Sequence, residues 1–251
     1  MAITPINLSV TNVLSNSVRL TWSGMSYLLR FDGVNDRTTK DAPASVESAT
    51  SFAVEIELAT TTPAQSDKKV YRLGSRGSLT DILLGPQSDG TVRAFLRTNG
   101  SGFVIYSSVL APNTRYVLRF EIDFVSGDGE LFLDGVSQGI ANGANTDGSS
   151  FGGVTRVIGA EGANGDGAAI FDLYYLKEYV DGTLISHFDP SASNGTGQVL
   201  PEVFANEDAP LVGFPTDDSQ WVFYSPPAVT PINLSTTNLL ATSVRLNWDQ
   251  G

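Results

Sequence analysis

The feature that most limits what this chain can fold into is its punctuation. Between residues 26 and 225, short apolar or alternating runs are separated by clusters of Gly, Asp, Asn and Ser. No stretch of three turns carries the apolar stripe of an amphipathic helix, and the nearest candidate, Phe171–Val180, alternates as a strand does. The alternation predicts strands at Tyr27–Phe31, Ser51–Leu58, Val70–Gly74, Asp81–Leu84, Thr91–Arg97 and Phe103–Ser107. It predicts more at Thr114–Phe124, Gly129–Leu133, Val154–Ile158, Ala169–Tyr175 and Trp221–Tyr224. Many short strands spaced by turn signals imply an all-β, two-sheet jelly-roll sandwich. A chain of 251 residues is long enough to bury the core of one such domain.

The two ends repeat each other. Thr4–Trp22 (TPINLSVTNVLSNSVRLTW) and Thr230–Trp248 (TPINLSTTNLLATSVRLNW) lie 226 residues apart and agree at 14 of 19 positions. In each copy apolar residues alternate, Val18, Leu20 and Trp22 in one and Val244, Leu246 and Trp248 in the other, with Arg19 and Arg245 between them. That period of two fits a half-buried strand. The pattern resembles the first two strands of a fibronectin type III domain, over about 20 residues at each end, against the seven strands of a whole domain. The expected organisation is therefore a strand pair over 1–24, a sandwich over 25–225 and a second strand pair over 226–251. Each pair either begins a neighbouring module or completes a sheet in the same or another subunit.

Within the sandwich, Leu29-Arg30-Phe31-Asp32-Gly33-Val34-Asn35-Asp36 and Phe52–Leu58 resemble the opening strands of laminin-G-like, concanavalin A-like domains. Arg115–Phe120 followed by Gly129–Val136 resembles that family's hairpin with its Asp-Gly turn, and Ile158–Ala160 with Ile170–Tyr175 resembles its late strands. His187–Tyr224, above all Gly213–Trp221, is similar to the tails of laminin-G-like domains in bacteriophage virion proteins. Met1–Ser9 has neither a basic start nor an apolar core, so it does not read as a secretory signal, an expectation that suits a particle assembled inside the cell.

Charge narrows the partners. The net charge of −12 disfavours nucleic acid and anionic membrane. The absence of cysteine excludes disulfides and thiolate metal sites. The single histidine, His187, argues against a histidine zinc site or a Ser-His-Asp triad and is expected to be structural. Lys68, Lys69, Arg72 and Arg76 read as solvated loop charges.

Three kinds of chemistry remain. Glu121-Ile122-Asp123-Phe124-Val125-Ser126 resembles the E-x-D-x-x-E strand of concanavalin-fold glycoside hydrolases, with Ser126 where the third carboxylate stands. A retaining mechanism needs both carboxylates, so no enzymatic activity is expected. Calcium, a hard cation taking six to eight oxygens, could be held by Asp32, Asn35 and Asp36 or by Asn164 and Asp166. Asp/Asn-Gly turns also form for backbone reasons alone. Aromatic platforms for glycan are Tyr174, Tyr175, Tyr179, Tyr106 and Trp221, although most aromatics in a sandwich are core. The leading expectation is a non-enzymatic structural or adhesion protein on a bacteriophage virion surface. It would assemble with other virion proteins or copies of itself, and it could bind surface polysaccharide. The alternative is a carbohydrate-binding or adhesion module of a larger bacterial surface protein, located extracellularly.

Overall fold

In a computed structural model the chain forms antiparallel sheets, with two short 3-10 turns at Ala44–Ser48 and Pro190–Ala192. The structure describes residues 9–14, 17–21, 26–74, 80–98, 101–143, 155–162, 164–205, 207–224, 232–240 and 243–249. In chain order the strands are β1 (Ser9–Leu14), β2 (Ser17–Thr21), β3 (Ser26–Asp32), β4 (Arg37–Asp41), β5 (Ser51–Ala59), β6 (Tyr71–Gly74) and β7 (Thr80–Pro86). Next come β8 (Val92–Thr98), β9 (Ser101–Tyr106), β10 (Arg115–Asp123), β11 (Asp128–Leu133), β12 (Val136–Ala141) and β13 (Thr155–Ile158). The chain continues through β14 (Ile170–Val180), β15 (Thr183–Phe188), β16 (Val199–Leu200), β17 (Ala209–Val212), β18 (Trp221–Tyr224), β19 (Ile232–Leu240) and β20 (Ser243–Asp249). Among the described residues no helix is long and apolar enough to cross a membrane.

Contacts divide the chain into two units, residues 27–223 and the two ends together. In the end unit β1 pairs with β2 and β19 with β20, each as an antiparallel hairpin with a register shift. The orientation expected for Val18, Leu20, Val244, Leu246 and Trp248 concerns side chains outside the described set, and Trp22 and Arg76 lie outside it altogether.

The larger unit is a sandwich of two eight-stranded sheets. One runs β12-β11-β10-β5-β14-β3-β18, with β15 also on β14; the other runs β16-β17-β4-β13-β6-β7-β8-β9. Every strand predicted within the sandwich is present, and Phe171–Val180 falls inside β14. Strict alternation sets the core: Val92, Ala94 and Leu96 of β8 are buried, as are Phe52, Val54, Ile56 and Leu58 of β5 and Leu118, Phe120 and Ile122 of β10. Phe31 stacks on Phe171 at 4.3 Å and meets Phe214 edge-on at 5.0 Å.

A polar bridge interrupts this core. Arg156 of β13 pairs with Glu178 of β14, in the opposite sheet, and both side chains are 2% exposed. The Tyr71 hydroxyl donates to Glu178 at 2.7 Å and Arg156 donates to the Ser186 hydroxyl at 3.0 Å. The guanidinium also lies 4.5 Å from the Phe188 ring centroid. Two of the four cationic residues expected in solvated loops are instead buried, Lys69 and Arg72 each being 3% exposed. Arg72 forks onto Asp81, which also accepts from Arg97, and its remaining arm reaches the Glu161 carbonyl at 2.6 Å. The loop at Glu161 thus covers a charge that looks exposed in sequence.

Candidate functional site

The outward face of the β10-β5-β14 sheet follows from the same alternation that builds the core. With Phe52, Val54 and Ile56 turned inward, Ala53, Glu55 and Glu57 turn outward; on β10 the outward residues include Arg119 and Glu121. On β14 a β-bulge between Leu173 and Tyr175 changes the parity, so Tyr174 and Tyr175 both reach this face although they are consecutive.

These side chains form a cross-strand lattice. Arg115 pairs with Glu57 and lies 4.1 Å over the Tyr174 ring. Arg119 reaches Glu55 at 3.2 Å and Glu121 at 2.5 Å, and its guanidinium lies 4.7 Å from the Tyr179 centroid. The Tyr175 hydroxyl donates to Glu55 at 3.0 Å, and Lys177 stands 3.8 Å from the same carboxylate and 4.4 Å from the Tyr175 ring. Burial first, then the Glu55 carboxylate, pushes the Tyr175 hydroxyl well above the usual tyrosine range, so it stays a donor at neutral pH. His187 meets Tyr175 edge-on at 6.2 Å, and burial lowers its pKa.

Beside the lattice the surface sinks into a cleft of about 520 Å³. Tyr179, Arg119 and Ala53 line it toward β14, and Glu130 and Ile140 line it toward the sheet edge. The register sets Glu121 opposite Glu130 and Asp123 opposite Asp128 across β10 and β11, with Ile140 of β12 opposite Glu130. Asp123 accepts the backbone N–H groups of Val125 and Ser126 at 2.7 and 3.1 Å, fixing the turn at one end. At the other end Asp181 accepts from the N–H groups of Thr50 and Ser51. The result is a concave, prearranged set of carboxylates and a guanidinium beside an aromatic ring and an exposed aliphatic side chain.

Of the sequence-selected aromatics, Tyr179 lines the cleft, whereas Tyr174 and Tyr175 belong to the lattice beside it. Tyr106 is half exposed on β9, in the other sheet. Trp221 is a core residue, 6% exposed, and its indole N–H donates to the Gly197 carbonyl at 2.9 Å; it offers no platform. Sequence reasoning missed Arg119, Glu130 and Ile140 as members of the cleft. The Gly-Asp-Gly turn after Ser126 carried the missing signal, because folding back there sets Glu130 against Glu121.

The two candidate calcium loops do come together: a Cβ on Gly165 would lie 3.1 Å from the Asn35 carbonyl and 3.0 Å from Arg37 Nη1. Arg37 donates to that carbonyl at 3.0 Å. Asp32 accepts from the Val34 N–H and Asp36 from the Asp32 N–H, each at 2.8 Å, while Asn164 and Asp166 are exposed. Among the described residues no group of three His, Cys, Asp or Glu is placed to hold a metal.

No protein-family model and no curated sequence relative matches the chain. Solved structures do. A Bacteroides ovatus protein described as a candidate carbohydrate binder superposes with a TM-score of 0.56 at 13% identity, over 82% of this chain and 62% of its own. A heptameric SAP-like pentraxin from Limulus polyphemus gives 0.49 at 15% identity, over 64% of this chain and 77% of its own. Mouse laminin α1 domains LG4-5 give 0.49 at 11% identity, over 73% of this chain and 48% of their own. The chain therefore spans about three fifths of the Bacteroides protein. That likeness and the strand order agree on the fold, an all-β, two-sheet sandwich of the jelly-roll kind.

Proposed function

We propose that the sandwich is a non-catalytic carbohydrate-binding module and that its glycan lies in the cleft over β5, β10, β11 and β14. The observation that carries this reading is the cleft's composition: hydrogen-bonding carboxylates stand beside the Tyr179 ring and the Ile140 side chain in one concavity. A sugar ring has the matching pair of surfaces, hydroxyls at its rim and C–H groups on its faces. The fold likeness to a candidate carbohydrate binder agrees with it. Glu121 is tied to Arg119, and the hydrolase-like third position is a turn serine, Ser126, so the arrangement suits holding a ligand rather than moving a proton.

Glycan-array screening followed by calorimetry tests the reading. Tyr179→Ala is expected to weaken the best ligand by roughly three- to tenfold, the worth of one aromatic contact, with Tyr174→Ala nearly silent. Equal loss in both variants, or none in either, would move the site elsewhere; melting curves check that each variant is folded.

The bacteriophage-virion reading rests on the resemblance of Gly213–Trp221. In the structure these residues serve packing: Phe214 meets Phe31, Trp221 is core, and a Cβ on Gly213, at φ +89°, would stand 2.5 Å from the Asn35 carbonyl. A discrete homo-oligomer of the purified chain would favour that reading.

A further inference from the structure

Resting on the carbohydrate-binding reading, the balance of charge in the cleft names the class of glycan. Glu121, Asp123, Asp128 and Glu130 all line it, and among the described lining residues Arg119 is the one cation. An anion-binding site needs a cation whose charge is not already balanced. Arg119 is already paired with two carboxylates, its Nε donating to Glu121 at 2.5 Å and its Nη1 to Glu55 at 3.2 Å, with the Tyr179 ring against its face, so its charge is balanced by the protein's own acids. An incoming carboxylate or sulfate that reached the other N–H groups of the guanidinium would still lie beside Glu55 and Glu121.

The turns that shape the cleft do not relieve this. Asp123 takes two backbone N–H groups on Oδ1, and Asp181 likewise spends Oδ1 on the N–H groups of Thr50 and Ser51. Backbone donors that could have received an anion at either end are therefore used by the protein's own acids. What predominates toward the ligand is a set of acceptors, which sugar hydroxyls satisfy by donating. The alternation in β10 and β11 adds to this by setting Glu121 directly across from Glu130, two like charges on one face with the ligand space above them.

We infer that the cleft selects glycans without acidic groups and rejects sialylated, uronate-containing or sulfated ones through its carboxylates, which already balance the charge of Arg119. Neutral sugars bind by donating hydroxyl hydrogens to the carboxylates while a C–H face rests against Tyr179 and Ile140. Glycans bearing free amines bind at least as tightly, because the field favours them.

The test is a binding series with the full-length chain on matched neutral, amine-bearing and acidic oligosaccharides, at low and physiological salt, once with calcium and once with chelator. Acidic members should bind at least about tenfold more weakly than their neutral counterparts at low salt, with the gap narrowing as salt screens the field. Glu130→Gln should narrow it as well, and should leave the melting temperature unchanged if it acts through charge alone. Acidic oligosaccharides that bind as well as neutral ones, with or without calcium, would overturn the inference and leave the carbohydrate-binding reading standing. Failure of every oligosaccharide in the series to bind would instead remove that reading, and this inference with it.

Discussion

At the scale of single residues, chemistry is least visible in sequence where burial reverses a residue's ordinary behaviour. Asp36 reads in sequence as a candidate calcium ligand of the Phe-Asp-Gly-Val-Asn-Asp turn, yet it is 1% exposed and its Oδ1 has no hydrogen-bond partner among the described residues. Burial first, and the nearby Asp32 charge as well, raise its pKa to about 6. A carboxyl whose folded pKa lies above its unfolded value takes up protons on folding, so it lowers stability as pH rises from about 4 to 6 and leaves it lowered above that. Asp36→Asn keeps an acceptor for the Asp32 N–H. It is therefore expected to raise the melting temperature at pH 7.5 and to have little effect at pH 4. A variant less stable than the parent at pH 7.5 would show that the charged form is held by something the structure does not place there. Arg156 and Glu178 allow a second experiment. Arg156→Leu leaves a buried, uncompensated carboxylate and is expected to cost about 3–5 kcal/mol in urea denaturation, whereas the pair Arg156→Leu with Glu178→Leu should recover most of that loss. Equal losses in the single and paired variants would mean that the bridge contributes through packing alone.

At the scale of elements, alternation was enough wherever a strand has one face in the core, which is why β5, β8, β10 and β14 could be read directly. It failed for β4, whose sequence Arg-Thr-Thr-Lys-Asp has no apolar residue and whose place is set by its neighbours β13 and β17. It failed for β12 as well, where Val136 and Ile140 are exposed and a register shift breaks the pattern. The cleft was legible only in part for a related reason. Tyr179 and Glu121 follow from alternation, but the pairing of Glu130 with Glu121 depends on register, and a period of two fixes faces without naming partners. The terminal hairpins were legible as strands because their two copies agree with each other. Among the residues whose burial the structure describes, the core ones lie between Leu28 and Trp221. A fragment spanning residues 26–224 is therefore expected to unfold cooperatively, within about 1 kcal/mol of the full chain, since isolated hairpins contribute little. A fragment that melts non-cooperatively would show that the end repeats complete the sandwich.

At the scale of the whole molecule, the order of strands in each sheet lies beyond what local patterns record. Strand β5 sits between β10 and β14, and β4 between β13 and β17, so neighbours in space are distant in sequence. Composition does speak at this scale through charge. A chain with a net charge of −12 repels its own copies, and the repulsion is strongest at low ionic strength. The glycan-binding reading asks nothing of self-association. The virion reading requires symmetric or lattice contacts, which would have to overcome that repulsion. Light scattering on the purified chain at 20 mM and 500 mM salt (conditions on either side of about one Debye length of 10 Å) separates the two. A monomer at both, which still binds its glycan, is the expected result. An oligomer that persists at low salt would mean that specific contacts outweigh the charge, and would return the particle-surface role to first place.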